Sequence, residues 1–341
     1  MRIRSLVQVA RAGSLWERVR AVRDGEAAIR VAMVAAALET GVLDALRRPR
    51  TTAQLAKELG AVDEPLLEAF LGGLRAARLV RSPSGGHRLA RRGRALLGDD
   101  VVRAAYEAFG GFHTGLYRDL PKQLRGGPGR RDVATRGEVI ARLSRAMEPL
   151  VHAALAGEVR AAAPGRILDV GCGDGAHLAH MLTLAPAAAA GIGIDVDDAA
   201  AALAARTLSR HGLSGRARVL RADVRDVVAE PALLGGPVDL ALLANAIYYL
   251  PEAERAALLR DVGALLAPGG TLLVVSTMAD GSAFSRHFDL LLRAQEGQMA
   301  LPTTAEVQAA VAVAGLDPVR TRRLTPGEPL YAVTARRPTS P

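Results

Sequence analysis

A glycine-rich segment, ILDVGCGDG (167–175), contains the residue types and spacing that most directly indicate chemistry. Apolar residues lead straight into Gly171, Gly173 and Gly175, and an alanine-rich stretch typical of a helix follows. Because glycine has no Cβ, a ligand can approach the backbone amides there, and the start of the next helix favours a nucleotide-type ligand. The GxGxG spacing differs from the GxGxxG of dinucleotide-binding loops. The segment therefore predicts a nucleotide-type site of another kind.

Aspartates continue this pattern along the chain. Asp195 ends the next apolar run, about twenty residues after the loop, where a carboxylate can accept hydrogen bonds from both hydroxyls of a ribose. Asp223 ends the third run, where it would either meet an adenine edge or cap the helix that follows. Asp169, within the first run, either contacts the ligand or orders the loop, and Cys172 is expected to be a small filler residue.

Parallel strands would hold these residues at one edge of a sheet. From Arg166 onward, apolar runs alternate with helical segments: RILDVG, GIGIDV, ARVLRAD, VDLALLA and TLLVVST. Such alternation predicts a parallel sheet with helices on both faces. With the further strand-like runs VRTRRL and LYAVTA, the predicted fold class is α/β, with a Rossmann-like, seven-stranded, mostly parallel sheet.

With these features in this order, the sequence resembles the class I S-adenosylmethionine-dependent methyltransferases. ALLANAIYYL fits the family's fourth strand and active-site edge, and LLAPGGTLLVVS fits its helix, tight turn and fifth strand. The resemblance implies that S-adenosylmethionine is the cofactor. The residues implied to bind it are Asp169, Gly171, Gly173, Asp195, Asp223, Val224 and Asn245.

The front of the chain reads as helix, helix and hairpin, in TTAQLAKELG, VDEPLLEAFLGGLRAARL and LVRSPSGGHRL, which predicts a winged helix. We predict a winged-helix dimerisation domain at 1–100, an interdomain helical linker at 101–164 and a methyltransferase domain at 165–337. With this front end the chain is similar to plant and bacterial O-methyltransferases that dimerise through their N-terminal domain. The resemblance implies a homodimer.

The usual general base of that family, a histidine just after the fourth strand, has no counterpart here. Tyr248 and Tyr249 stand at the positions of that histidine and the following aspartate. We expect the two tyrosines to orient the methyl acceptor or to present a ring to the sulfonium. His287, on a segment that covers the active site in the resembling family, is the preferred replacement base, with a surface or helix-capping role as the alternative.

The methyl acceptor is predicted to be a small molecule, such as an aromatic, polyketide or amino-acid-derived natural product. Attack by oxygen, nitrogen or carbon remains open, because the activated sulfonium needs mainly a well-positioned nucleophile. His113, Tyr117 and Met147 are expected either to line the substrate chamber or simply to pack. No metal is expected, since no close His or acidic cluster lies near the predicted pocket.

Charge and composition leave two alternatives. The net charge of +9 suggests nucleic acid, but Lys57 and Lys122 are the only lysines, so the excess of arginine looks like codon bias. The second predicted front helix also starts with the acidic residues Asp63, Glu64 and Glu68, which disfavours DNA. A nucleic-acid methyltransferase and a non-catalytic winged-helix regulator that binds S-adenosylmethionine are the rival functions. With no membrane segment and no secretory signal pattern, a cytoplasmic location is expected.

Overall fold

The computed structural model describes residues 14–339, and these divide into two compact units. Unit 1 comprises the residues up to Pro121 together with Arg136–Leu143. Unit 2 comprises Lys122–Thr135 and the chain from Ser144 onward. The helices of the segment 101–164, predicted as a linker, are thus divided between the two units.

Unit 1 is built from helices and one small hairpin. Its helices are α1 (Leu15–Glu39), α2 (Val42–Ala45), α3 (Thr52–Leu59), α4 (Glu64–Ala76), α5 (Arg91–Gly98), α6 (Asp100–Ala108), α7 (Thr114–Gln123, which runs on past Pro121) and α9 (Gly137–Ser144). A π-helical turn, Phe109–His113, joins α6 to α7. Strands β1 (Val80–Arg81) and β2 (Arg88–Leu89) form an antiparallel hairpin after α4.

Local sequence signals explain the ends of α3 and α4. Thr51 caps α3 in a capping box with Gln54, and Gly60 ends it in the left-handed conformation. Asp63 caps α4 by accepting a hydrogen bond from the amide of Leu66 at 2.8 Å. The helix, helix and hairpin order that the sequence predicted is present.

Helix α1 is buried only near its carboxyl end. Val34, Ala37 and Leu38 join the core of unit 1. Earlier in the helix, Trp16 is 80% exposed and Ile29 is 62% exposed. The earlier part of α1 therefore has an apolar face that unit 1 does not cover.

Unit 2 alternates strands and helices. Its strands are β3 (Arg166–Val170), β4 (Ala190–Asp195), β5 (Ala217–Arg221), β6 (Val238–Ala244), β7 (Leu266–Thr277), β8 (Asp317–Arg323) and β9 (Leu330–Arg336). Its helices are α8 (Asp132–Thr135), α10 (Glu148–Ala162), α11 (Ala176–Leu184), α12 (Asp198–Arg210), α13 (Val224–Ala229), α14 (Glu252–Leu265), α15 (Ala283–Arg293) and α16 (Thr304–Val313).

The seven strands form one sheet in the order β5-β4-β3-β6-β7-β9-β8. Strands β3 to β7 pair in parallel, and β9 pairs antiparallel with both β7 and β8. The chain fills one side of β3 with β4 and β5, then crosses to the other side with β6. Ligands bind at such a switch point, beyond the carboxyl ends of the strands.

Helices cover both faces of the sheet. Alternate residues of β3 show this division: Leu168 packs in the cluster that contains residues of α13, α14 and α16, whereas Ile167 packs with residues of α10, α11 and α12. Burial on both faces explains why the central strands are almost continuously apolar. The predicted fold class is confirmed.

Candidate functional site

The glycine loop, residues 171–175, turns sharply between β3 and α11. Its three glycines all have positive φ: +67° at Gly171, +54° at Gly173 and +75° at Gly175. A Cβ on Gly175 would lie 2.9 Å from the Cα of Ala204. The amides of Gly171 and Cys172 both donate to the carbonyl of Ile194, at 2.9 and 3.0 Å. Glycine is thus required by conformation and, at Gly175, also by close packing.

Asp195 connects the glycine loop to the end of β4. Its Oδ2 accepts a hydrogen bond from the amide of Gly173 at 2.9 Å, and its Oδ1 accepts one from the amide of Asp197 at 3.0 Å. Each carboxylate oxygen accepts up to two hydrogen bonds, so one position on each remains. The side chain is held rigidly and can still accept hydrogen bonds from a pair of ribose hydroxyls.

Asp169 lies beneath the loop and is 1% exposed. Its Oδ2 is buried and finds no hydrogen-bond partner in the part of the chain that the structure describes. Burial, together with the charges of Asp195 and Asp174, raises the pKa of Asp169 to about 7. A buried carboxylate oxygen without a partner indicates a cationic or hydrogen-bond-donating ligand, and S-adenosylmethionine carries both an ammonium and a sulfonium. The residues at this edge therefore fit that cofactor.

Asp223 has the capping role that the sequence left open. It caps α13, and its Oδ1 accepts a hydrogen bond from the amide of Arg225 at 2.9 Å. The guanidinium of Arg225 also binds both carboxylate oxygens, at 2.9 and 2.7 Å, and these contacts lower the pKa of Asp223. Val224, the next residue, is buried. The predicted adenine contacts of both residues stay predictions.

Asn245 directly follows β6 and has a φ of +51°, which is unusual for a residue other than glycine. Its amide donates to the carbonyl of Val275 at 2.7 Å, which holds this conformation. Strained backbone conformations of this kind cluster at functional sites. The short 3-10 helix that follows, Ile247–Tyr249, is called the tyrosine turn below.

The tyrosine turn carries two aromatic rings that pack against each other. The ring centres of Tyr248 and Tyr249 lie 4.7 Å apart, with the ring planes tilted by 60°. Burial raises the pKa of both hydroxyls. Both tyrosines are therefore neutral at pH 7 and can orient a ligand without removing a proton.

Helix α15 covers the tyrosine turn. Phe288 meets Tyr248 edge-on at 5.4 Å between ring centres, and Phe284 stacks on Phe288 at 6.3 Å. His287 lies on the same helix with its ring 6.2 Å from that of Phe284. Burial lowers the pKa of His287, so its imidazole is neutral at pH 7 and can accept a proton.

The predicted substrate residues lie in different units. In unit 1, His113 is buried beside the rings of Phe109 and Phe112, and Tyr117 is 51% exposed. In unit 2, Met147 packs at the edge of the core formed with α10 and α11. Packing of Met147 is thus present, and a role in substrate binding stays a prediction for all three.

Sequence reasoning expected His152 to line the substrate chamber and missed its grouping with two histidines beside the glycine loop. His152 of α10 stacks on His180 of α11 at 3.9 Å between ring centres and meets His177 edge-on at 5.3 Å. The HxxH spacing of His177 and His180 places them on one face of α11 and was the available signal. Local spacing could not predict that His152, on another helix, packs against these two residues.

Comparison with known proteins identifies the second unit. Residues 167–270 match the profile of a family described as a methyltransferase domain. The chain carries a methyltransferase domain. The match begins in β3 and ends within β7, so it includes the glycine loop, Asp195 and the tyrosine turn. A search of curated proteins gave no match.

Solved structures extend the likeness beyond the methyltransferase domain. The mitomycin 7-O-methyltransferase MmcR is 23% identical, covers 97% of this chain and 99% of its own, and has a TM-score of 0.76. RosA, an N,N-8-amino-8-demethyl-D-riboflavin dimethyltransferase from Streptomyces davawensis, is 23% identical over 95% of this chain and 99% of its own, with a TM-score of 0.69. NcsB1, an O-methyltransferase from neocarzinostatin biosynthesis solved with S-adenosylmethionine and 2-hydroxy-5-methyl naphthoic acid, is 21% identical over 90% and 95%, with a TM-score of 0.64.

These likenesses establish the fold of nearly the whole chain, and the family match confirms the predicted enzyme class. Among residues 14–339, no group of three or more His, Cys, Asp or Glu side chains is arranged to hold a metal ion. Within the same range, no helix combines the length and hydropathy required to cross a bilayer.

Proposed function

We propose that this methyltransferase transfers the methyl group of S-adenosylmethionine to a natural-product-type small molecule, without a histidine base directly after β6. The observation that carries this proposal is the glycine loop hydrogen-bonded to Asp195, with Asp169 buried beneath it and its Oδ2 lacking a hydrogen-bond partner among the described residues. The loop amides, the ribose acceptor and the buried carboxylate supply contacts for the nucleoside and the amino-acid end of the cofactor. The bound cofactor supplies an electrophilic methyl group.

The chain's own residues then have to orient the methyl acceptor and take up a proton. Tyr248 and Tyr249 present ring faces and a hydroxyl, and neither is a base at neutral pH because burial raises the pKa of both. His287 is the proposed base, since its neutral imidazole can take a proton as the nucleophile attacks. An amine, an enolate or an already ionised phenol would need this base less.

The side chains around the tyrosine turn favour a flat, partly aromatic methyl acceptor. The whole chain has five Phe and five Tyr, and Tyr248, Tyr249, Phe284 and Phe288 are gathered at this one place. Aromatic rings stabilise a flat ligand by offset or edge-to-face stacking. Transfer to O, N or C stays open.

A homodimer formed through α1 is part of this proposal. The amino-terminal two thirds of α1 carry exposed apolar residues, including Trp16, Val22 and Ile29, that unit 1 does not cover. A second copy of the same helix would bury them. The winged-helix dimerisation role of unit 1 and a cytoplasmic location stay predictions.

The deciding experiment is calorimetric titration of S-adenosylmethionine into the wild-type protein and the Asp195→Ala variant. Loss of the ribose contacts should weaken binding by about 1–3 kcal/mol, or roughly fivefold to 150-fold. Asp198→Ala is the matched control, because Asp198 is an exposed acid that pairs with Arg221 at 2.9 Å. A wild-type protein that binds no S-adenosylmethionine would refute the proposal and favour a different ligand for the loop.

A further inference from the structure

The histidine cluster, His152, His177 and His180, lies wholly within unit 2. The Nε2 of His180 donates to the carbonyl oxygen of His152 at 3.3 Å, so this ring is anchored to the backbone of α10. By contrast, His152 Nε2 and His177 Nδ1 are buried and have no hydrogen-bond partner among residues 14–339. A buried polar atom without a partner destabilises the fold, so two of them on neighbouring rings indicate a ligand that binds there.

The cluster borders the glycine loop. His177 is the second residue of α11, which starts directly after Gly175. The charge of Asp174, a loop residue, acts on His152 and His177 and also on the buried Asp169, which has its own partnerless oxygen. The charge of one loop residue, Asp174, therefore acts on three residues, from β3, α10 and α11, that each carry a partnerless polar atom.

The chemistry around these atoms combines acidic groups with neutral imidazoles. Burial and the neighbouring rings lower the pKa of His152 to about 4, and burial also lowers the pKa of His177 and His180. Glu148 Oε1 lies 3.5 Å from His152 Nε2. Neutral imidazole can donate or accept a hydrogen bond, and nearby carboxylates favour an ammonium group. An α-amino acid, which has an ammonium and a carboxylate, matches both requirements.

We propose that His152 and His177 bind the α-amino-acid end of the cofactor, His152 through Nε2 and His177 through Nδ1. This inference rests on the proposed use of S-adenosylmethionine. The nucleoside end would be held by the glycine loop and Asp195, and the amino-acid end by α10 and α11. His180 supports the site by stacking on His152.

Two ligands separate this role from a general effect on the fold. S-adenosylhomocysteine has the amino-acid end, and methylthioadenosine lacks it while keeping the nucleoside and the sulfur. Calorimetry with both ligands should show that His152→Phe and His177→Phe each weaken the binding of S-adenosylhomocysteine about tenfold. The affinity for methylthioadenosine should stay unchanged in both variants. His152→Gln, which keeps a polar group that can donate and accept, should recover part of the loss.

His211→Gln is the control, because His211 is exposed at the end of α12. The inference would be overturned if the phenylalanine variants bound both ligands equally weakly, or if they bound both as tightly as the wild-type protein does. Failure of the wild-type protein to bind either ligand would instead refute the proposed function. Far-ultraviolet circular dichroism of each variant verifies that it is folded.

Discussion

The glycine loop and the tyrosine turn lie at the ends of neighbouring parallel strands, β3 and β6, yet they are held in different ways. Backbone hydrogen bonds and glycines in the left-handed conformation fix the loop. The amides of Gly171 and Cys172 both donate to the same carbonyl oxygen. Aromatic packing between the tyrosine turn and α15 holds the other region. The loop is suited to one invariant ligand, whereas packed aromatic side chains can be exchanged to suit different methyl acceptors. A methyltransferase needs both properties at one sheet edge.

The strongest way to sharpen this comparison is to remove the proposed base. His287→Gln should lower kcat by about 100-fold or more if the methyl acceptor must lose a proton. Burial holds the pKa of His287 below its ordinary value of 6.5, so wild-type activity should fall only at a pH below that value, and the variant should lack this fall. Steady-state kinetics across pH measures both effects.

Tyr248→Phe provides the contrast. Removal of a neutral hydroxyl that only orients the methyl acceptor should lower kcat less than tenfold and leave the pH profile unchanged. A profile unchanged in His287→Gln would show that this histidine takes no proton. The activity would then depend on positioning alone.

A single added methyl group should disrupt the glycine loop. Gly175→Ala places a Cβ 2.9 Å from Ala204 at a φ of +75°, so we expect a loss of about 2–3 kcal/mol in the free energy of unfolding and severely weakened cofactor binding. Gly157→Ala, in α10 with nothing within 4 Å of the new Cβ, should instead stabilise the protein by about 0.5–1 kcal/mol. Urea unfolding measures the free energy of unfolding of both variants. Equal values for the two would contradict the close packing of Gly175 against Ala204.

The buried carboxyl group of Asp169 provides the third test, through the pH dependence of stability. Its pKa of about 7 in the folded protein exceeds the ordinary 3.8, so the folded state binds more protons between these values than the unfolded state does. The cofactor-free protein should therefore lose stability, by about 2–4 kcal/mol, as the pH rises from 4 through 7. Asp169→Asn should remove that slope in urea unfolding, and an identical slope in the variant would assign it to other groups.

The sequence predicted the parts of the molecule that depend on local signals. The glycine loop, the seven strands and the caps at Thr51 and Asp63 all follow from residue types at short spacing. The role of Asp223 was left open because an aspartate at the start of a helix can either cap that helix or contact a ligand. The pairing of His152 with His177 and His180 depends on how α10 packs on α11, which no local pattern encodes.

The position of β9 has a consequence for synthesis on the ribosome. This strand is the last of the seven along the chain, yet it lies inside the sheet, between β7 and β8. Until residues 330–336 have left the exit tunnel, β7 has an open edge and β8 has no neighbour at all. An unpaired edge of a long apolar strand readily pairs with other chains. Translation that stalls shortly before β9 should therefore yield a nascent chain prone to aggregation, even though every residue of the glycine loop has already been made.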